Sequence, residues 1–312
     1  MRWTSLLSVA VLGLAAPVLA APPTAPAAKP ADSKPKPMST PANFEAETRE
    51  WHAKRISRLK TEDGWLSLVG LHWLKEGDNR FGSAPDNDVV FPAPAPAKVG
   101  TFTRKGDAVS LSLAPGVSLT LDGKPFTGGA VRSDAQGGPD TLALGTMRFF
   151  AIRRGERLGI RVKDSEAPTR KNFHGIPTYA PSPAWRLEAR FEPAPTQTKI
   201  AVPNVLGEVE EMVSPGTAVF TVNGQEYRLA PVDDGSGQLF FIFGDLTNRD
   251  DTYGAGRFVY TDMPKDGKVV LDFNRSYNPP CAFTPFATCP LPPPQNRLKL
   301  RVEAGEKRYG EH

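Results

Sequence analysis

Two runs gather side chains able to do chemistry. In DLTNRDDTYGAGRFVYTD, Asp245, Thr247, Tyr253 and Arg257 fall in one connection and the strand-like run after it. In DFNRSYNPP, Asp272, Asn274, Arg275, Tyr277 and Asn278 fall where the next strand-like run ends. An arginine flanked by carboxylates and amides suits a ligand carrying carboxylate or phosphate, because the guanidinium offers a planar fork of donors. Asp245 and Asp272 also suit a division of acid and base roles, if their surroundings separate their pKa values. The same residues equally suit a buried polar network that ties a loop to a sheet. Pairing of GRFVYTD with KVVLDFN across Pro264–Gly267 would bring the two sets together. Arg257 is then expected within salt-bridge reach of Asp245 or Asp272.

The second run continues into a long loop that holds both cysteines of the chain, Cys281 and Cys289, eight positions apart. In an exported chain the simplest reading is a disulfide. Closing so small a loop stabilises by about 2–3 kcal/mol on the chain-entropy model. It would also present AFTPFAT as a knob, with Phe283 and Phe286 open to a protein partner. The rival is a pair of free thiols serving a metal or redox chemistry. The histidines, His52, His72, His174 and His312, are scattered without metal-ligand spacing, so no metal site and no cofactor is expected. His174, in PTRKNFHGIP, sits in a candidate functional loop and joins the ligand-binding candidates. Asp245, Asn248, Asp250 and Asp251 lack the spacing of an EF-hand loop. No G-x-S-x-G, P-loop, G-x-G-x-x-G or H-E-x-x-H is present.

The elements that must position these residues read as strands. Thirty-two prolines and 28 glycines punctuate short β-branched runs, the pattern of an all-β chain. After WLSLVGLHWL come DVVFP, VGTFTRK, AVSLSL, VSLTL, DTLALG, MRFFAIRR and RLGIRVKD, spaced as in an antiparallel sandwich. A Pro-rich connection over 165–183 separates them from WRLEARFE, TKIAV, GEVEEMV, TAVFTV, QEYRLAPV, QLFFIFG, GRFVYTD, KVVLDFN and LKLRVEA. Asn223-Gly224 is the strongest hairpin turn. One helix is expected over 42–60, capped by Thr40 with Pro41 at its start, and packing its Trp51 face on a sheet. The expected fold is therefore all-β: two packed antiparallel β-sandwich-like domains, 61–164 and 184–309, with one N-terminal helix.

Residues 1–20 read as a signal peptide, with Arg2, an apolar run and a Val18-Leu19-Ala20 cleavage site. Residues 21–41 form an Ala/Pro linker expected to be disordered. The chain is then periplasmic or secreted, with no membrane span after cleavage. The net charge of +4 is modest and charges of both signs alternate, so nucleic acid is not implied.

The runs DLTNRDDTYGAGRFVYTD, DFNRSYNPPCAFTPFATCPLPPPQNRL and EAGEK resemble the bacterial domain-of-unknown-function family DUF1684. DGWLSLVGLHWLKEGDNRFGSAPDNDVVFP and RRGERLGIRVKD resemble the same family's opening, so the resemblance spans about 43–309. It implies no activity. RFGSAPDNDVVFP is also similar to the start of a forkhead-associated domain, a phosphopeptide-binding β-sandwich. That fold's Ser-Arg-x-x-His loop is replaced by AKVGTFTRK, so the likeness implies a sandwich over 61–164 and no phosphopeptide binding.

Three functions remain open in the sequence. The leading one is an exported protein that binds a small polar or anionic ligand or a cell-envelope fragment. The others are a hydrolase or lyase using Asp245 and Asp272 with Arg257 as clamp, and a structural or protein-interaction module.

Overall fold

The computed structural model describes residues 43–310. The expected signal peptide, linker and Thr40–Pro41 helix start lie outside them, as does His312. Helix α1 (Phe44–Leu59) begins after Asn43, with Glu45 and Glu47 in its first turn and Arg58 in its last, as the helix dipole favours.

Eleven strands follow: β1 (Leu68–Trp73), β2 (Gly77–Gly82), β3 (Val89–Val90), β4 (Gly100–Lys105), β5 (Ala108–Leu113), β6 (Leu119–Leu121), β7 (Lys124–Phe126), β8 (Gly129–Val131), β9 (Leu142–Leu144), β10 (Met147–Arg154) and β11 (Arg157–Asp164). They form a six-stranded sheet, β1-β11-β10-β9-β6-β7, and a five-stranded sheet, β3-β2-β4-β5-β8. Every pair is antiparallel except β2 with β3. Phe81, Phe91, Phe102 and Phe149 meet ring to ring between the sheets. Met147, Phe149 and Ala151 of β10 and Leu158, Ile160 and Val162 of β11 face this core. By strand alternation, Phe150, Ile152 and Arg154, with Arg157 and Arg161, stand on the sheet's other face.

The second set is β12 (Arg186–Pro193), β13 (Lys199–Pro203), β14 (Val209–Val213), β15 (Gly216–Val222), β16 (Gln225–Leu229), β17 (Leu239–Phe243), β18 (Arg257–Thr261) and β19 (Lys268–Asp272). These give a four-stranded sheet, β16-β15-β12-β19, and two hairpins, β13-β14 and β17-β18. The turn between β15 and β16 is the expected one: Asn223 has φ 53° and Gly224 φ 78°, the left-handed pair of a type I′ turn. Phe220, Phe241, Phe243, Phe273 and Val302 share the core of this half. The fold is all-β.

Three local expectations change. β18 pairs with β17, and β19 with β12, so GRFVYTD and KVVLDFN belong to different sheets. The strands follow each other in sequence but turn a corner between apolar layers: β18 pairs along its whole length with the five-residue β17, and β19 pairs with the longer β12. LKLRVEA forms no strand. It is an extended segment whose Leu298 amide donates to Gly244 O and whose Leu300 O accepts from Leu246 N. Helix α1 packs on the turn at Phe273–Arg275 and on Tyr277, whose ring lies 6.2 Å from Trp51, rather than on a sheet.

Candidate functional site

The ten candidate ligand residues do not converge. They separate into three polar groups, one cleft residue and one exposed loop residue.

The first group surrounds Arg257. Asp245 caps a short 3-10 turn (Leu246–Arg249), where Oδ1 accepts from Thr247 N at 2.7 Å and from Thr247 Oγ1. Its Oδ2 accepts from Arg257 Nη2 at 2.6 Å. Arg257 also donates to the carbonyls of Val302 and Ala304 and lies 5.4 Å from the Phe243 ring centroid. Arg257 and Thr247 are 0% exposed. The C-terminal segment bends at Gly305, φ 78°, beside these carbonyls. Arg257 is therefore the anchor of the last segment, with no surface left for a ligand. Asp245 is held as a capped, paired carboxylate, so the paired-aspartate chemistry loses its geometry.

The second group is a turn. Asp272 Oδ1 accepts from Asn274 N and Nδ2 at 3.2 and 2.9 Å, and Arg275 lies 3.5 Å from Oδ2. Asn274 bonds both the N–H and the C=O of Ser182. The Asn274 carbonyl accepts from His52 Nε2 at 2.9 Å, which ties α1 to the turn. Asp272 thus spends its lone pairs within its own turn, and among the described residues no hydrogen bond or ion pair joins it to Arg257.

The third group joins the N- and C-terminal segments. Glu306 Oε2 accepts from Asn278 N at 2.7 Å, and Oε1 lies 3.3 Å from Arg55 Nε. Arg55 also lies over Tyr277, 4.6 Å from its centroid. Burial pushes the Glu306 carboxyl up, and the Arg55 charge opposes that. His174 is exposed and makes no hydrogen bond among the described residues.

Tyr253 stands apart from the other nine. It lines a cleft of about 380 Å³ where the outer face of the six-stranded sheet meets the cysteine loop. Leu71 and Trp73 of β1 form one wall; Val205 and Leu206, in the β13–β14 turn, form another. Asn204 builds that turn by accepting from the amides of Leu206 and Glu208. Val205 N donates to Cys289 O, pinning the turn to the loop. Cys281, Thr284, Pro285, Phe286 and Ala287 complete the lining. The Tyr253 hydroxyl makes no hydrogen bond among the described residues. Burial, helped by the two cysteines, pushes its pKa up to about 12, so it is a proton donor at neutral pH.

Beside the cleft, Arg161 stands opposite Leu71 in the β1–β11 register, so their side chains share a face. Arg161 is 5% exposed. Its Nη2 donates to Thr288 Oγ1 at 3.3 Å, while its Nε has no partner. Arg154 Nε reaches the same hydroxyl at 3.2 Å. Arg154 has Asp134 as its carboxylate; Arg161 has no ion-pair partner among the described residues. Burial lowers the Arg161 pKa to about 10, which leaves it charged.

The expected disulfide is not formed: Cys281 and Cys289 are free thiols lying side by side. Cys289 Sγ accepts from Cys281 N at 3.1 Å. Nor is the loop a presented knob. Phe283 is 5% exposed and packs with Leu59, Leu66 and Phe173, and Phe286 packs on the cluster around Phe240 and Cys289. Apolar rings at Phe283 and Phe286 close the seam between α1 and the two halves, where burial outweighs exposure.

Arg161, Arg154 and Thr288 were not anticipated from the sequence. Alternation in RLGIRVKD puts Arg161 on an outward face, which reads as solvated. The usable signal was Leu71, Trp73 and Ile152, apolar residues at outward positions that require a covering layer.

Residues 171–307 match the model of a family described as protein of unknown function, DUF1684. A solution NMR structure of an uncharacterised protein from Haloarcula marismortui is 31% identical, with TM-score 0.38, and the match covers 46% of this chain and 81% of that one. Two forkhead-associated domains are each 16% identical with TM-score 0.22. One comes from work on phosphothreonine-dependent interactions and the other is the FhaA domain in complex with an intracellular domain; each match covers 30% of this chain, and 92% and 97% of theirs. No curated protein matches the chain. Among the described residues, no helix is long and apolar enough to cross a membrane.

Proposed function

The chain belongs to the DUF1684 family, and we propose that it is an exported protein that retains a small ligand, apolar in body and anionic or polar at one end, in the cleft at Tyr253. The observation that carries this reading is the Tyr253 hydroxyl, an unpartnered donor in a lining of Leu71, Trp73, Pro285 and Phe286. The hydroxyl faces the cleft with its donor free, and a charged ligand acceptor there would gain a hydrogen bond worth about 1.5–3 kcal/mol. The Arg161 charge nearby favours an acceptor that is negative. A volume of about 380 Å³ lies in the range of small-molecule sites and admits only one end of a larger envelope fragment. Export is part of the reading and rests on the N-terminal sequence: N-terminal sequencing of mature protein from the periplasm or medium should begin at or near Ala21, and intact Met1 recovered from the cytoplasm would remove it.

Benzoate is a suitable probe, with an apolar ring and a carboxylate. Calorimetry should show binding that Tyr253→Phe weakens by roughly ten-fold, the worth of a hydrogen bond to a charged group. Val205→Trp, at a position 42% exposed on the cleft rim, should abolish binding without unfolding the protein. Equal affinity in wild type and Val205→Trp would place any binding outside the cleft and end the proposal.

A further inference from the structure

We propose that Cys281 and Cys289 form a redox-active pair that exchanges with low-molecular-weight disulfides entering the cleft, Cys281 attacking and Cys289 resolving. This goes beyond ligand retention and requires no bound carboxylate.

The geometry separates the two roles. Cys281 is half-buried and lines the cleft, so a sulfur in the cleft can approach it. Cys289 is 5% exposed behind it and unreachable by a second molecule. The contact from Cys281 N to Cys289 Sγ, 3.1 Å, fixes the thiols as neighbours. The loop between them is held at Thr284, whose Oγ1 donates to Leu68 O at 3.2 Å, and at Thr288, on which Arg154 and Arg161 converge.

Arg161 gives the pair its charge environment. A cation buried without a close counter-ion is costly; Arg161 has an unpartnered Nε and no carboxylate in salt-bridge contact among the described residues, with Arg154 adding a second positive charge and Asp134 acting only through its field. A thiolate at Cys281 supplies negative charge there. Reactive cysteines occupy such electropositive, partly exposed surroundings, whereas structural ones are buried and inert. The protonation of the pair agrees in direction. The Cys289 thiol, hydrogen-bonded to Cys281, lowers the Cys281 pKa, and Arg161 adds to this. Cys289 is pushed up by the same bond and by burial.

The exchange balances in two steps. The Cys281 thiolate attacks one sulfur of R–S–S–R; the Cys281–S–S–R bond forms, the R–S–S–R bond breaks and R–S⁻ leaves. Cys289 then loses its proton, by way of water, to the departed thiolate and attacks Cys281 Sγ. The Cys281–Cys289 bond forms and a second R–S⁻ leaves. The protein is oxidised by two electrons and the small disulfide is reduced to two thiols. An excess of small thiol runs the steps backwards.

The test uses the full reduced chain and 5,5′-dithiobis(2-nitrobenzoate) at neutral pH. Wild type should release two thionitrobenzoates and keep none. Cys289→Ser should release one and keep one on Cys281, found by mass spectrometry, and Cys281→Ser should react at least ten-fold more slowly. Arg161→Gln should slow the first step and move its pH–rate midpoint upward, with Arg161→Lys restoring part of both. If Arg161→Gln does not fold, the three cysteine forms decide alone. In glutathione buffers the pair should pass between dithiol and disulfide, whereas a purely structural bridge resists glutathione. Two adducts retained by wild type, Cys281→Ser reacting as fast as wild type, or a bridge that stays closed in excess reduced glutathione would each overturn the proposal. Normal exchange without benzoate binding, or binding without exchange, separates its failure from that of the ligand reading.

Discussion

Arg257 Nη2 donates to Asp245 Oδ2 at 2.6 Å, and neither side chain has any exposed surface. The pair joins the start of β18 to the turn after β17, and through Val302 O and Ala304 O to the last segment. An ammonium lacks the planar fork whose two terminal nitrogens here reach Asp245, Val302 O and Ala304 O together. Arg257→Lys should therefore destabilise the fold by about 2–3 kcal/mol, the cost of leaving buried acceptors unmade. Urea unfolding measures it. Benzoate affinity should stay unchanged, because the cleft does not include Arg257. A variant with wild-type stability and lost binding would return Arg257 to the ligand site.

Gly305 carries the bend that brings these carbonyls to Arg257. Its φ is 78°, and a Cβ there would come within 2.4 Å of Ser276 O. Gly224, in the β15–β16 turn, has the same φ of 78° but nothing within 4 Å of an added Cβ. The shared backbone conformation costs a side chain about 1–2 kcal/mol. Gly224→Ala should lose that much, and Gly305→Ala distinctly more, because Ser276 O must also move. Equal melting temperatures for the two variants would mean that the C-terminal bend yields freely.

The parts legible in the sequence are those set by local pattern. Alternation and turn residues dictate the strands, and Asn223-Gly224 dictates its hairpin without help from tertiary contacts. The partner of GRFVYTD is not local. Phe258 and Val259 pack into different apolar clusters on either side of β18, and both find their places only when β17 is the neighbour. Asp272 and Arg257 looked like partners because strand pairing would have placed them so; once the pairing changes, Asp272 closes its own turn with Asn274. Tyr253 reads as a site residue through its neighbours in sequence, yet the cleft it lines is made by residues far away along the chain, Leu71 and Cys281. Arg161 is not legible as a buried cation, because an outward charge on a strand reads as solvated until the layer above it is known.

The eleven-stranded half should not bind phosphothreonine peptides. AKVGTFTRK stands where the Ser-Arg-x-x-His loop would be, and its last six residues are paired strand β4. The nearby Arg80 is already engaged, donating to Asp86 O at 2.8 Å and lying 3.6 Å from Asp88. Fluorescence anisotropy with labelled phosphothreonine and unphosphorylated peptides should show no difference. Phosphate-dependent binding that disappears in Arg80→Ala would refute this.

Acid should weaken the fold through two histidines before the carboxylates act. Burial lowers the pKa of both His52 and His72, and for His52 it outweighs the bond to Asn274 O. The unfolded chain keeps histidine near pH 6.5. As pH falls through that value, the unfolded state takes up protons that the folded state refuses. Stability is therefore full above about pH 7 and declines as pH drops from about 6.5 toward the folded-state values. Glu306, pushed up by burial, gains its proton more easily when folded and acts with the opposite sign. Comparison of variants cancels that contribution and that of Cys281. Urea midpoints at pH 7.5 and 5.5 should differ more for wild type than for the His52→Gln/His72→Phe protein. An equal acid-induced loss in both proteins would show that protonation of these two rings is not what the fold resists.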